Sequence, residues 1–387
     1  MGTIQHAKEI IKTLKSEGYE AYIVGGAVRD HLLGLKPVDF DITTNAKPNQ
    51  VMALFDARAT GFKYGTITVL KNPYTYEVTT YRTDGPSEDQ RHPDYVYFGT
   101  SVEEDVMRRD FTINGLLMDE HLNINDFVSG QEDIIKRTIK TIGDPYLRFS
   151  EDALRILRAI YFQGKLHFTI DPLTLEAMRK MGALIQQLSN ERIINEIIKI
   201  IKTNHQLQAF ETMFQLSLHH HIAGIEKTIE TIVEKKKSIT TDTFFTVCFY
   251  NDLKTMQTWK FSNQQKHKYQ QAAELSKSHI KLNATHLFEY GLEIVKLAAR
   301  TQSYLYGTNY AMNKLEYMYA HLPIKSHVDL KMKASEMMAL SHRKAGAWIK
   351  DVQEDMVKKI LTHELKNDRS TLFMYFRETY LKGMQNE

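Results

Sequence analysis

The 387-residue chain has one cysteine, Cys248, so no disulfide can close within it, and the lack of a matching Cys/His set argues against structural zinc. No apolar run approaches the roughly 18 residues that cross a bilayer, and charges interrupt the stretch from Met1 to Leu14. Neither a membrane helix nor a signal peptide is expected, and residence in the cytoplasm is. Repeats of fixed period, low-complexity tracts and long heptad runs are also missing. Proline is scarce: seven of its eight copies lie at or before Pro172, and 14 of the 19 glycines at or before Gly182. Turn-rich architecture therefore stops near there, and the remainder is expected to be helical.

What is present is the composition of an ordinary folded protein, 42% apolar, 25% charged and 10% aromatic, with room for two to four domains. The net charge of +3 hides a division. Residues 1–150 carry 17 Lys and Arg against 22 Asp and Glu, and residues 151–387 carry 33 against 25. An acidic front suits carboxylates that gather metal and a basic remainder suits RNA, although lysines kept for solubility would give the same balance.

In the front half, Ala21–Val24, Thr66–Leu70 and Tyr76–Thr80 are short runs rich in β-branched and aromatic residues and bounded by turn signals, which predicts strands of one sheet. Val28–Leu33 follows two glycines and Asn49–Phe55 follows a proline, which predicts helices packed on that sheet. From Glu151 onward Ala153, Leu154, Ile156, Leu157 and Ile160 recur at helical spacing, leaving Asp152, Arg155 and Arg158 along one polar edge. Ile193–Ile201, Phe210–Leu218, Leu292–Ala299 and Trp348–Leu361 repeat the 3.6-residue habit without intervening strands.

Gly25-Gly26-Ala27-Val28-Arg29-Asp30 directly follows the first strand. Two glycines admit a close ligand, and a helix N-terminus with Arg29 one turn in offers a cradle for phosphate. The segment lacks the Gly-Lys-Ser/Thr ending of a P-loop and the third glycine of a dinucleotide fingerprint, and by itself such a turn is more often simple geometry. Asp39-Phe40-Asp41, ten residues on, changes the balance. In extended chain both carboxylates project to one face while Phe40 turns into the core. Their mutual repulsion is resolved by a divalent cation, and hard oxygen ligands that share a cation with phosphates select magnesium. Glu77, on a predicted strand of the same sheet, is the first candidate for a third carboxylate, and Asp110 the second. Such a site supports in-line attack of a hydroxyl on the α-phosphorus of a nucleoside triphosphate.

These segments, with Arg108-Arg109-Asp110-Phe111-Thr112-Ile113-Asn114 and Glu151-Asp152-Ala153-Leu154-Arg155-Ile156-Leu157-Arg158, resemble the ordered motifs of class II CCA-adding tRNA nucleotidyltransferases. Leu188-Ser189-Asn190-Glu191-Arg192 is similar to the next motif, and Leu322-Pro323-Ile324-Lys325 with Ala345-Gly346-Ala347-Trp348 to the tail of the Bacillus-related bacterial subgroup. The resemblance implies an α+β protein: a polymerase-β-like nucleotidyltransferase head (1–138) followed by an all-α neck (139–204), body (205–300) and tail (301–387), arranged like a seahorse. It implies Mg2+ on Asp39 and Asp41; Glu77, read above from its place on a strand of the same sheet, is expected to join them in catalysis. Gly25, Gly26, Arg29, Arg109, Asp110 and Asn114 would bind the incoming nucleotide, and Asp152, Arg155 and Arg158 would line its base. The implied partners are tRNA, with ATP and CTP as substrates, and a homodimer is compatible with the resemblance; a membrane is not implied.

Hydrogen-bond chemistry supports the base-reading assignment. Cytosine and adenine each present an amino donor beside an unprotonated ring nitrogen, whereas uracil and guanine present a carbonyl beside a ring N–H. A carboxylate next to a guanidinium fits the first pattern and mismatches the second. Asp152 and Arg155, three apart on one predicted helix, form such a pair; an ordinary surface ion pair is the plainer alternative. The polar segment Thr83–Asp94, punctuated by Gly and Pro, resembles the flexible loop of enzymes that complete CCA. One departure is Tyr161, where the subgroup usually carries another arginine, and no role is transferred to it.

Other signals carry less. His219–His221 is expected to face solvent, and the aromatic stretch Tyr304–Tyr319 to be core, while Glu234–Lys237 reads as a solvated helix end or loop. Tail lysines Lys325, Lys331, Lys333 and Lys344 could meet tRNA phosphates. The competing functions are a bacterial poly(A) polymerase or partial adder of CC or A, and a noncatalytic RNA-binding protein; retention of Asp39 and Asp41 speaks against the last.

Overall fold

The computed structural model describes residues 2–84, 96–277 and 281–381, which form two compact units, Met1–Ser238 and Ile239–Glu387. The boundary falls inside the segment 205–300 expected as the body.

In the first unit the chain order is α1 (Ile4–Ser16), β1 (Ala21–Val24), α2 (Gly26–Leu32), β2 (Asp41–Thr44), α3 (Pro48–Leu54), β3 (Ala57–Gly61), β4 (Thr66–Lys71), β5 (Tyr74–Thr80), the pair β6 (Arg82–Asp84) and β7 (Val96–Phe98), α4 (Val102–Met107), β8 (Leu116–Met118), β9 (Ile124–Asp126) and α5 (Gly130–Ile135). Seven strands make one mixed sheet in the order β3-β4-β5-β2-β1-β8-β9. The three predicted strands are β1, β4 and β5. Ile23, Ile67, Val69, Tyr76 and Val78, on one face of these strands, are 1% exposed or less and form the core face of the sheet. Phe40 is buried beside them as expected, which leaves Asp39 and Asp41 outside the core.

Beyond the sheet come β10 (Thr138–Ile139), α6 (Pro145–Glu151), α7 (Leu154–Leu166), β11 (Thr169–Ile170), α8 (Pro172–Met181), α9 (Asn190–Ile201), α10 (Gln206–Gln215) and α11 (Glu226–Lys235). Here one expectation is corrected. Asp152 does not lie on a helix with Arg155: its backbone is extended (φ −150°, ψ 101°), and it separates α6 from α7. Its Oδ1 accepts from the Leu154 N–H at 3.0 Å, so the carboxylate caps the helix that the apolar spacing had seemed to start earlier. Ala153, buried like Ile156, Leu157 and Ile160, keeps the 3.6-residue rhythm across the break and hides it.

The histidine run is also corrected. His219 is 2% exposed, in a short 3₁₀ turn Leu218–His221, and stacks on Phe214 with ring centroids 5.1 Å apart. Burial pushes its imidazole below the ordinary value of 6.5.

In the second unit the described residues are helical: α12 (Thr241–Asn251), α13 (Leu253–Thr258), α14 (Asn263–Lys277), α15 (Ala284–Tyr306), α16 (Met312–Ala320), α17 (Ala334–Ser341), α18 (Ala347–Leu361) and α19 (Arg369–Phe376), with short 3₁₀ and π turns. Helix α15 breaks at Gly291, whose φ of 77° only glycine adopts without strain. Phe244, Phe245, Phe249, Trp259 and Tyr269 form its aromatic core. The stretch Tyr304–Tyr319 is only partly core: Tyr304 is buried, but Tyr306 and Tyr317 are 40% and 65% exposed.

Because the folded state lowers the affinity of His219 for a proton, its contribution is nil above pH 6.5 and becomes a loss of stability as pH falls below it. Replacing His219 with Phe, which keeps the stack, should therefore flatten the fall in thermal midpoint between pH 7 and pH 5.5; an unchanged pH profile would contradict the assignment.

Candidate active site

Strand pairing builds the centre of the site. Strands β2 and β5 run parallel with Asp41 opposite Glu77, and β1 pairs antiparallel with β2 so that Val24 faces Asp41. Asp41 and Glu77 line one cavity of about 170 Å³ together with Val24, Ile42, Thr66, Thr79, Arg82, Arg108 and Arg109. The lining thus combines two carboxylate residues with three arginines, a composition suited to a phosphate that enters with a cation.

Asp41 shows the strain of this placement. Its oxygens stay reachable by water, yet the surrounding protein displaces enough solvent to raise its pKa, Glu77 and then Asp39 add repulsion, and Arg109 only partly offsets them. Its carboxyl is pushed up to about 6. Asp39, exposed just before β2, is near enough to act on it electrostatically. Among the described residues no three acidic, histidine or cysteine side chains enclose a metal by themselves. The carboxylates form an open edge, which fits a cation that completes its shell with water and phosphate oxygens.

The glycine turn abuts this cavity. Gly25 has φ 74° and ψ −131°, which requires glycine, and a Cβ there would stand 3.7 Å from Arg109 Nη1. Arg109 is held in turn by Asp105, a fully buried carboxylate on α4. Asp105 Oδ1 accepts from Arg108 Nε at 2.9 Å and Nη2 at 2.7 Å, and Oδ2 accepts from Arg109 Nη2 at 3.2 Å and Thr43 Oγ1 at 3.1 Å. These arginines hold the Asp105 carboxyl below the usual range despite its burial. Asp105 was not singled out in the sequence, although its spacing of three and four residues from Arg108 and Arg109 is a legible helical signal.

Four further residues from the motifs are not among those that line the cavity. Arg29 is 2% exposed; its Nε and Nη2 donate to Asp30 Oδ1 at 2.8 and 2.6 Å, and its Nη1 donates to Asn114 Oδ1 at 2.5 Å. Asn114 Nδ2 donates to Asp110 Oδ1 at 3.0 Å, and Arg158 Nε donates to Asp110 Oδ2 at 2.7 Å. Asp110 is thereby committed to Arg158, Asn114 and the Phe111 N–H, and these contacts hold its carboxyl low despite burial.

At the α6–α7 junction Asp152 and Arg155 are not paired with each other. Arg192 Nη2 donates to both oxygens of Asp152 at 3.0 Å, while Arg155 donates to the carbonyls of Arg148 and Arg108 and to Glu151. Arg192, 40 residues downstream on α9, belongs to the Leu188–Arg192 motif, but nothing in the sequence pointed to its pairing with Asp152. Tyr161 is half-buried against Phe162, with the Lys199 ammonium 5.9 Å over its ring. The segment Thr83–Asp94 lies outside the described residues from 85 onward.

With the geometry established, three kinds of comparison bear on the chain. Residues 21–140 match the family model of the Poly A polymerase head domain, and residues 233–375 match that of tRNA nucleotidyltransferase domain 2. A CCA-adding enzyme of Staphylococcus haemolyticus is 32% identical over 98% of this chain and 99% of its own length, and one from Bacillus cereus is 32% identical over 98% and 100%. The crystal structure of the Bacillus stearothermophilus CCA-adding enzyme in complex with CTP superposes with a TM-score of 0.86 at 29% identity, covering both chains completely. The Thermotoga maritima CCA-adding enzyme complexed with tRNA shares the fold, at TM-score 0.63 and 18% identity.

For a carboxyl whose folded value exceeds its unfolded one, the cost to stability is absent below 3.8 and complete above about 6. Asp41→Asn should therefore melt higher than the native protein at pH 8 in chelator, with the difference gone near pH 4. Nucleotide incorporation should fall by about 10³-fold. Native incorporation by this variant would refute the site.

Proposed function

The chain belongs to the CCA-adding enzymes, and we propose how its own residues carry that reaction. It is a template-independent nucleotidyltransferase that adds C, C and A to the 3′ end of tRNA from CTP and ATP and releases pyrophosphate. The observation that carries the site assignment is Asp41 opposite Glu77 in a cavity that also holds Arg108 and Arg109.

Asp39 and Asp41 would hold divalent cations, which we take to be magnesium, and Glu77 would complete the acidic edge. When bound, such ions lower the charge repulsion between the attacking hydroxyl and the α-phosphate and steady the departing pyrophosphate. Gly25 and Gly26 leave room for the triphosphate beside Arg109, whose guanidinium, oriented by Asp105, meets its negative charge. Arg29, Asp110 and Asn114 act by holding the turn and α7 in place. The head, neck, body and tail division at 138, 204 and 300 belongs to the same proposal, as does residence in the cytoplasm; no described helix is long and apolar enough to cross a membrane.

Base choice falls to Asp152 and Arg155, each fixed by a different partner. Arg192 and the Leu154 N–H orient the Asp152 carboxylate, which retains an acceptor site on Oδ2 for an exocyclic amino group. Arg155 keeps its Nε–H and one Nη2–H beyond its three bonds for a ring nitrogen. Cytosine and adenine satisfy both, whereas uracil and guanine leave both mismatched. Arg158, tied to Asp110, supports the wall of that pocket.

Incubating tRNA that lacks its CCA end with CTP and ATP should extend it by three nucleotides and stop. Long adenylate tails or arrest after CC would instead indicate the related activities. Arg155→Ala should erode the preference for CTP over UTP by about 10²-fold or more, read as the ratio of kcat/KM values; an unchanged ratio would reject the base-reading role.

A further inference from the structure

The first unit contains an uninterrupted chain of polar contacts that begins and ends on α7. Lys165 Nζ donates to Asp30 Oδ2 at 3.3 Å, Asp30 accepts from Arg29, Arg29 donates to Asn114, Asn114 donates to Asp110, and Asp110 accepts from Arg158. Arg29, Asp30, Asp110 and Asn114 are each 9% exposed or less. Arg158 and Lys165 are seven residues apart, two turns along one face of α7. Phe162, between them on that face, is 5% exposed and lies under the guanidinium groups of both Arg29 and Arg158, at 5.2 and 5.3 Å. The helix is therefore fastened at two points to a network that also supports the glycine turn.

We propose that Lys165 and Asp30 are positioning residues for nucleotide selection, fixing the rotation of α7 so that Arg155, near its N-terminus, meets the base at a set distance from the glycine turn. Apolar packing is non-directional and tolerates small rolls of a helix. The ionic contacts at Arg158 and Lys165, two turns apart on one face, both oppose that roll and add to the local bonds that Arg155 makes to Glu151 and to the Arg148 and Arg108 carbonyls. The lever is short and the tolerance small. At about 6 Å from the helix axis, a roll of about 10° carries a guanidinium about 1 Å, and misplacement of that size costs a site about 10²-fold. Lys165 is held there against opposing forces: burial and the nearby Arg29 push its ammonium below the ordinary lysine value, while Asp30 pulls it back.

This inference rests on the base-reading role assigned to Arg155, and the experiment separates the two. Single-nucleotide addition to tRNA lacking its CCA end is measured with CTP and with UTP, and thermal midpoints are recorded alongside. Lys165→Met should lower the CTP-to-UTP ratio of kcat/KM by about tenfold or more while its midpoint stays within about 2 °C of native. Lys165→Arg, which keeps the charge, should restore the ratio. Should Lys165→Met fail to fold, Asp30→Asn is expected to lower the ratio in the same way. If the ratio is unchanged in the folded variant while Arg155→Ala lowers it, the positioning role is overturned and base reading stands. If Arg155→Ala also leaves it unchanged, both fall.

Discussion

Asp41 and Glu77 face each other across adjacent parallel strands, with Asp39 close by, and the site follows from the need to neutralise them. Strand register decides the opposition, since a shift of one residue would send either carboxylate to the other face of the sheet. Phe40, Ile42 and Val78 hold that register by burying their side chains. The sheet core thus fixes two like charges where solvent alone compensates them poorly, and burial together with Glu77 raises the pKa of Asp41. On the proposed assignment a cation arriving with a triphosphate would relieve this repulsion, and substrate and metal would be bound by the same imbalance.

The cationic side of the site obeys the opposite rule. Asp30, Asp105 and Asp110 are buried carboxylates, and each is compensated by arginine or lysine. Breaking such a buried pair strands the remaining charge, which makes each pair a rigid joint. Asp105 orders Arg108 and Arg109 around the cavity, and the chain from Lys165 to Arg158 fastens α7. The compensated acids hold geometry, and the proposed ligand role falls to the uncompensated ones.

Much of this was legible in the sequence. Strands β1, β4 and β5 followed from β-branched runs between turn signals, and the inward turn of Phe40 from the two-residue period of extended chain. The break between α6 and α7 was hidden because Ala153 is as buried as a helical residue at that position would be. Contacts distant in sequence, such as Arg192 with Asp152 or Lys165 with Asp30, leave no local pattern, since complementary charges occur everywhere along the chain. The burial of His219 was missed for a related reason: a polar triplet looks exposed until Phe214 is seen to cover it. Motif order supplied what periodicity could not, which is why the family was recognisable from segments whose internal contacts were not.

The central claim is that Asp41, with Asp39, holds a divalent ion alongside the nucleotide. Calorimetric titration of Mn2+ into the full-length protein saturated with a nonreactive CTP analogue tests it most directly. The native protein should take up the ion, and Asp41→Asn should bind it more weakly by about tenfold or more. Equal affinity in the two proteins would contradict the account.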